Sequence, residues 1–385
     1  MYGSLREMAA DLKTASQRGL VERFDSTIGA GSVLMPFGGK NQSTPTQAMA
    51  AKMPVLPGQE TDQASLFAWG CDPDLLTSDP YIGAQASIVS SVAKIVASGA
   101  DYKKVYLTLQ EFFERLRTEP ARWGKPFQAL LGALEAQLGL NAAAIGGKDS
   151  MSGTFLDKDV PPTLISFAIA PIKASEVLTP EFKEADHPVY LFAPVDETAE
   201  SVKETWETFH TLCTEGKVKA AWAVDAGGIA EGVLKMCMGN GFGFAYDKSM
   251  SLDDIFGYNY GAFVLEVADE VDGKVVGTVT NDGKFTYGDT SVCACTLDKL
   301  YEGKLEGVFP TLEKDDNKTY ENFSFKAESR VAPAIKVAKP KVLIPVFPGT
   351  NCEFDTAKAL MTAGADPEIF VIKNLSSDTV ARSVE

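Results

Sequence analysis

A layered α/β fold is what this sequence predicts, and three observations predict it. Helical apolar patterns alternate with short apolar runs of strand length, which is how helices laid on sheets are written. The chain has 385 residues, enough for roughly two to three domains. Its 45% apolar and 23% charged content is that of an ordinary globular protein.

The first 60 residues, including "FDSTIGAGSVLMPFGGKNQSTPTQAMAAKMPV", are rich in Gly, Ser, Thr and Pro and read as a partly strand-like lead-in. "DPDLLTSDPY" (72–81) reads most simply as an exposed acidic loop. In "IGAQASIVSSVAKIVASGA" the residues Ile88, Val89, Val92, Ile95 and Val96 fall on one helical face, and the helix should stop near Gly99. "KPFQALLGALEAQLGL" repeats the pattern with Phe127, Leu130, Leu131, Leu134 and Leu138 as its expected buried face. Strands are expected at 104–109, 142–145 and 163–171, the last with the character of a buried strand.

The polar stretch "SEVLTPEFKEAD" precedes a new apolar run, "HPVYLFAP", so a domain boundary is placed near residue 180. Beyond it come a helix over about 199–213, the strand "KAAWAV", the turn "DAGG", the helix "IAEGVLKMCMG" and a run of strands that includes "TSVCACTL". The prolines and charges of "LEKDDNKTYENFSFKAESRVAPAIKVAKP" mark a linker, and "KVLIPVFPGTNCEFDTAKALMTAGADPEIFVIKN" then supplies one βαβ unit. The organisation expected is a lead-in at 1–60, domains at 61–180 and 181–325, a linker at 326–340 and a short third segment at 341–385.

Charge and composition exclude several functions. The net charge of −16 repels nucleic acid and anionic lipid, so neither is an expected partner. No apolar run reaches the roughly 18 residues of a membrane helix, and the start shows no signal-peptide pattern. The six cysteines are scattered without small-domain disulfide spacing, which points to a reducing, cytoplasmic setting. Cys293 and Cys295, two apart in an apolar stretch, are expected side by side in the core. The two histidines, His187 and His210, have no Cys or His at ligand spacing, so no zinc site is expected.

Three segments carry candidate chemistry. In "AAAIGGKDSMSGTF", Gly146 and Gly147 would let backbone amides approach an anion. Lys148 would bring a positive charge there, Asp149 an oxygen for Mg²⁺ and Ser150 a hydroxyl. The alternative is a chain bend with solvated charges, and the residues alone favour it, because the spacing is not that of the longer Walker loop. In "VDAGGIAEG", Asp225, Gly227 and Gly228 open a helix whose amides would suit an anion, or Asp225 simply caps it. In "FPGTNCEFDTA", Cys352 is a poor nucleophile candidate, since no histidine follows His210, and Glu353 and Asp355 suit the first turn of a helix.

Several long stretches resemble one family. "QRGLVERFDSTIGAG", "RWGKPFQALLGALEAQLGLNAAAIGGKDSMSG", "DVPPTLISFA" and "AGGIAEGVLKMC" resemble the second half of the large, single-chain phosphoribosylformylglycinamidine synthases of purine biosynthesis. "KVLIPVFPGTNCEFDTAKAL" resembles the opening of their glutaminase domain.

The resemblance implies paired α/β domains of the aminoimidazole ribonucleotide synthetase type, followed by the first βαβ unit of a class I glutaminase. It implies an ATP-dependent ligase, using Mg²⁺, that converts formylglycinamide ribonucleotide to the amidine with ammonia from glutamine. It makes 61–180 and 181–325 one of two halves, with the N-terminal half and the rest of the glutaminase as partners. Exposure of the face that the missing half would cover could give a homodimer. The fragment alone is expected to be inactive; a non-catalytic scaffold or regulatory nucleotide-binding module of the same fold is the alternative.

Residue by residue, the resemblance implies that the stretch Gly146, Gly147, Lys148, Asp149 and Ser150 touches ATP phosphate, metal and substrate, with Gly147 approaching phosphate, Asp149 or its neighbour near the metal and Ser150 on the substrate. Lys148 stands where shorter relatives carry asparagine, which suits phosphate neutralisation better than metal binding. An auxiliary nucleotide site is implied on a helix that supplies a Glu and an Asn four residues apart. Here those positions are Ser90 and Lys94, and the expected aspartate–serine pair falls on Ala223 and Asp225, before Gly227 and Gly228. That site is therefore expected to be degenerate. The glutaminase nucleophile is expected to be absent, and Cys352 is not it.

Overall fold

The computed structural model describes residues 2–24, 31–56, 58–312, 318–319, 321, 323–329 and 332–385. The 25–30 part of "FDSTIGAG" and residues 330 and 331 of the expected linker lie outside them. The chain divides into two compact units, Met1–Met53 with Asp62–Glu313, and Pro54–Thr61 with Lys314–Glu385.

The first unit holds two large sheets and two short two-stranded ones, Phe37–Gly38 with Thr44–Pro45 and Thr154–Phe155 with Lys158–Asp159. Strands β1 (Ser32–Leu34), β2 (Ala48–Lys52), β3 (Gln63–Gly70), β4 (Tyr106–Phe112), β5 (Ala144–Ser150) and β6 (Thr163–Lys173) form a six-stranded sheet in the order β1-β2-β3-β6-β4-β5. All its pairings are antiparallel except β4 with β5. The second sheet contains β7 (Pro188–Phe192), β8 (Val218–Ala223), β9 (Gly243–Tyr246), β10 (Phe263–Val267), β11 (Lys274–Thr280), β12 (Lys284–Tyr287) and β13 (Thr290–Cys293). Its order is β8-β10-β7-β11-β9-β12-β13.

Three helices belong to the first sheet: α1 (Pro73–Ser78), α2 (Pro80–Ala97) and α3 (Pro120–Leu140). The segment read as an acidic loop is α1 and the entry to α2, because Asp72 and Asp79 each cap a helix that begins with proline. Ile88, Val92, Ile95 and Val96 of α2 are fully buried, as their spacing predicts, and Gly99 closes the helix with φ +105°. Each such side chain contributes about 1.5–3 kcal/mol relative to exposure. Helix α2 shares one core with the first sheet, α4 (Ala199–Thr214) and one face of the second sheet, including Phe263 and Leu265. The other face of the second sheet packs on α5 (Gly228–Met238) through Trp222, Val264 and Val233. Burial on both sides explains why every residue of β10 is buried.

Helix α3 reverses the expectation drawn from its pattern. Its buried face is the small-residue one, with Pro126, Ala129, Gly132, Ala133 and Ala136, while Phe127, Leu130, Leu131, Leu134 and Leu138 face solvent. A Cβ on Gly132 would lie 2.1 Å from the Tyr81 carbonyl oxygen, so the chains approach too closely for a large side chain. The outward face of the first sheet is also apolar: Met49, Trp69, Tyr106 and Phe112 are exposed there, and Phe67 stacks on Phe167 with ring centroids 5.6 Å apart.

Cys293 and Cys295 are not core neighbours. Cys293 ends β13 and caps α7 (Ala294–Gly303), both side chains are exposed, and their sulfurs form a disulfide. The chain changes from strand to helix between them, which removes the alternation that the expectation used.

The second unit holds β14 (Lys341–Val346), α8 (Glu353–Thr362), β15 (Asp366–Val371) and α9 (Ser377–Val384). Strands β14 and β15 pair in parallel, which makes the expected βαβ unit, and α9 follows it. Glu353 and Asp355 lie in the first turn of α8.

Candidate functional site

The 146–150 segment is a strand, not the bend that ends one. Strand β5 runs on through Ser150 because it finds a partner: Thr108 aligns with Gly146, Leu109 with Gly147, Gln110 with Lys148, Glu111 with Asp149 and Phe112 with Ser150. The register shifts once, between Leu107 and Thr108, where Ile145 is passed over. A Cβ on Gly147 would lie 2.5 Å from the Leu109 carbonyl oxygen, so that position requires glycine. Gly146 faces open space.

Strand alternation then divides the candidate residues between two faces. Lys148 and Ser150 share the outward face with Gln110 and Phe112, and Asp149 shares the inward face with Glu111. Lys148, Asp149 and Ser150 therefore do not converge on one point. The Lys148 ammonium donates to the Asp149 carbonyl at 3.3 Å and makes no ion pair among the described residues. The Ser150 and Ser152 hydroxyls lie 2.8 Å apart. Apart from its pairing with β4, this edge strand is open to solvent.

Glu111 is a residue that motif reading missed. It is 5% exposed, its Oε1 has no hydrogen-bond partner, and it lies beside Asp149. Burial first, and then the Asp149 charge, push its carboxyl from the usual 4.5 to about 7. The alternation of Leu107, Leu109, Glu111 and Phe113 was the available signal, because it places a carboxylate in an otherwise apolar row. Among the described residues no group of three or more His, Cys, Asp or Glu is placed to hold a metal. Glu111 and Asp149 are two oxygen donors, a number that suits Mg²⁺ only when phosphate and water complete the shell.

The second candidate cluster does come together. Ser90 and Lys94 of α2 reach Asp225, which follows β8: Lys94 Nζ lies 2.6 Å from Asp225 Oδ2, and the Ser90 hydroxyl donates to the same oxygen at 3.2 Å. Lys94 also donates to the Trp69 carbonyl at 3.0 Å and stands 4.7 Å from the centre of that ring. Burial raises the Asp225 carboxyl, but the Lys94 charge and hydrogen bond, with the Ala226 amide and Ser90, outweigh it and hold the group below its ordinary value.

Asp225 does not cap α5. The N-cap is Gly227, whose amide donates at 2.9 Å to Glu231, a carboxylate one turn into the helix that also pairs with Lys235 at 2.5 Å. Gly228, at φ +67°, needs its glycine. Nearby, the Tyr260 hydroxyl donates to Asp72 at 2.6 Å, and burial together with the Asp225 and Asp72 charges raises its phenol. The charges of this cluster are thus paired internally, and a carboxylate of the chain already holds an amide at the start of α5. Cys352, exposed and in a left-handed conformation before α8, has no histidine in its unit.

Two outcomes are expected. Lys94→Met should lower stability by roughly 1–3 kcal/mol by leaving the half-buried Asp225 with only the Ser90 hydroxyl and Ala226 amide to balance its charge, and adding Asp225→Asn should recover most of the loss, both read from urea midpoints. Glu111 binds a proton in the folded state that the unfolded state has released, so stability should fall as pH rises between 4.5 and about 7. Glu111→Gln should remove about 2–3 kcal/mol of that fall between about pH 5 and about pH 8; parallel curves for the two proteins would contradict it.

Comparisons with known proteins bear on both units. Residues 339–383 match the CobB/CobQ-like glutamine amidotransferase domain family. The phosphoribosylformylglycinamidine synthase subunit PurL of Picrophilus torridus is 22% identical over 289 residues, which are 69% of this chain and 38% of that relative. The chain thus spans well under half the length of the curated relative it matches. Among solved structures, Thermotoga maritima PurL complexed with AMPPCP gives a TM-score of 0.53 at 18% identity, over 70% of this chain and 42% of that one. The same protein complexed with FGAR gives 0.54 at 12% identity, over 86% and 57%. The PurLQS structure from T. maritima gives 0.52 at 18% identity, over 69% and 41%. At these identities the structural likeness establishes the fold, and the expected fold class is borne out. In its paired α/β layers and in its glutamine amidotransferase segment, the chain is similar to the PurL-type phosphoribosylformylglycinamidine synthases.

Proposed function

We propose that this chain supplies one half of the ATP- and substrate-binding shell of a phosphoribosylformylglycinamidine synthase. The reaction joins formylglycinamide ribonucleotide, ATP and glutamine to give formylglycinamidine ribonucleotide, ADP, phosphate and glutamate. The observation that carries this reading is the open edge strand β5. It presents Gly146, Lys148 and Ser150 on an outward sheet face whose apolar side chains are exposed, as a surface to be completed by another portion of the enzyme would be.

In this reading Lys148 offsets phosphate charge and the Ser150 hydroxyl donates to phosphate or substrate. Asp149, beside Glu111 on the opposite face of the strand, is the residue that would hold Mg²⁺, which when bound supplies positive charge on that inward side rather than at the Lys148 and Ser150 face. The N-terminal half and the remainder of the glutaminase are the proposed partners, the latter as the source of ammonia. Alone, the chain is proposed to be inactive. A cytoplasmic setting belongs to the same proposal; four cysteines are free, and Cys293 and Cys295 are paired.

The cluster at Ser90, Lys94, Asp225, Gly227 and Gly228 is proposed to be a nucleotide site that has lost its function. The Lys94 charge stands where a metal would otherwise balance Asp225, and Glu231 takes the Gly227 amide. At that location the scaffold reading is the better one.

Mixing the chain with a separately made N-terminal half and glutaminase should restore ATP- and glutamine-dependent amidination. Lys148→Ala or Ser150→Ala in that mixture should lower turnover by ~10²–10³-fold. Inert mixtures of well-folded parts would favour the scaffold reading throughout. Calorimetry of the chain with Mg-ADP should show no tight binding, and a tight complex would overturn the assignment of a lost site.

A further inference from the structure

We propose that helix α3 is a self-association surface, on which the same helix of a second copy of this chain docks antiparallel about a twofold axis. The inference is independent of the nucleotide assignments above. Six large apolar side chains, Trp123, Phe127, Leu130, Leu131, Leu134 and Leu138, are 42% to 73% exposed along this one helix. Phe127, Leu131, Leu134 and Leu138 follow one another at intervals of four, three and four residues, the seam by which one helix packs into another. The opposite face is committed to the interior through Ala129, Gly132 and Ala133, so α3 cannot turn to bury its seam within its own unit.

A second copy fits the seam in shape and in charge. With the axis between Leu131 and Leu134, Leu131 meets Leu134 of the second copy and Phe127 meets Leu138. In an antiparallel pair the residues flanking one side of the seam meet their own kind, which here sets Gln128 beside Glu135 of the second copy and Leu130 beside Gln137. No two like charges face each other, although the chain as a whole carries −16. At roughly 200 Å² for a whole large apolar side chain, the six leave on the order of 600 Å² per copy. A twofold pair would bury on the order of 1,200 Å², the lower bound for a stable protein interface.

The test is the oligomeric state of the 385-residue chain by light scattering and sedimentation over a concentration series. A dimer is expected, with Leu131→Glu plus Leu134→Glu weakening it by at least ~100-fold, while circular dichroism stays unchanged because both side chains are exposed. Under mild oxidation, Gln128→Cys plus Glu135→Cys should cross-link two copies, while Gln128→Cys alone should not, its two positions being ~13 Å apart along the axis. This second measurement decides the matter even if the double glutamate variant fails to fold. A monomer at all concentrations, a dimer indifferent to the glutamates, or cross-linking by Gln128→Cys alone would each overturn the proposal.

Discussion

The parallel pairing of β4 with β5 is the constraint on which the proposed site depends. Because the 106–112 strand offers its free edge, the glycine-rich segment is drawn out as a strand rather than folded back as a loop. Extension fixes which side chains cooperate. Lys148 and Ser150 are set toward the exposed sheet face, and Asp149 is set against Glu111 on the other side. The backbone tolerates this because Gly147 has no Cβ to strike the Leu109 carbonyl. A phosphate received here would meet charge and hydroxyl on one face of a strand, with carboxylates behind it.

A second constraint is electrostatic and lies where α2 meets the second sheet. Lys94 is almost wholly buried, and it is stable there because Asp225, the Trp69 carbonyl and the Trp69 ring satisfy it together. The same pairing uses up the groups that would otherwise attract a ligand. The first unit thus contains two clusters of contrasting character: one open and unpaired at a sheet edge, the other closed and neutralised inside.

Much of the architecture was legible in the residues. The periodicity of Ile88, Val92 and Ile95, the stop at Gly99 and the strand-turn-helix-strand reading of the last segment correspond to elements that are present, because each is encoded locally. Three features were not legible. Helix α3 has two faces without charge, one of large and one of small apolar residues, so pattern alone could not show that Gly132 and its alanine neighbours, rather than the leucines, face inward. The 146–150 segment has the composition of a turn, and only a strand distant in sequence makes it extended. Glu111 carried no motif, and its interest arises from burial and from its neighbour on β5. Ser90 and Lys94 were found through the family resemblance and Asp225 first through its place before a helix, while the ion pair and hydrogen bond that join them are three-dimensional facts.

The most direct measurement is a crystal structure of this chain mixed with the proposed N-terminal partner and a non-hydrolysable ATP analogue. The expected result is a phosphate oxygen within hydrogen-bond distance of Lys148 Nζ or Ser150 Oγ on the outward face of β5, with the Lys94–Asp225 pair intact. A nucleotide seated instead beside Asp225 with that pair broken, or phosphates remote from residues 146–150, would contradict the account.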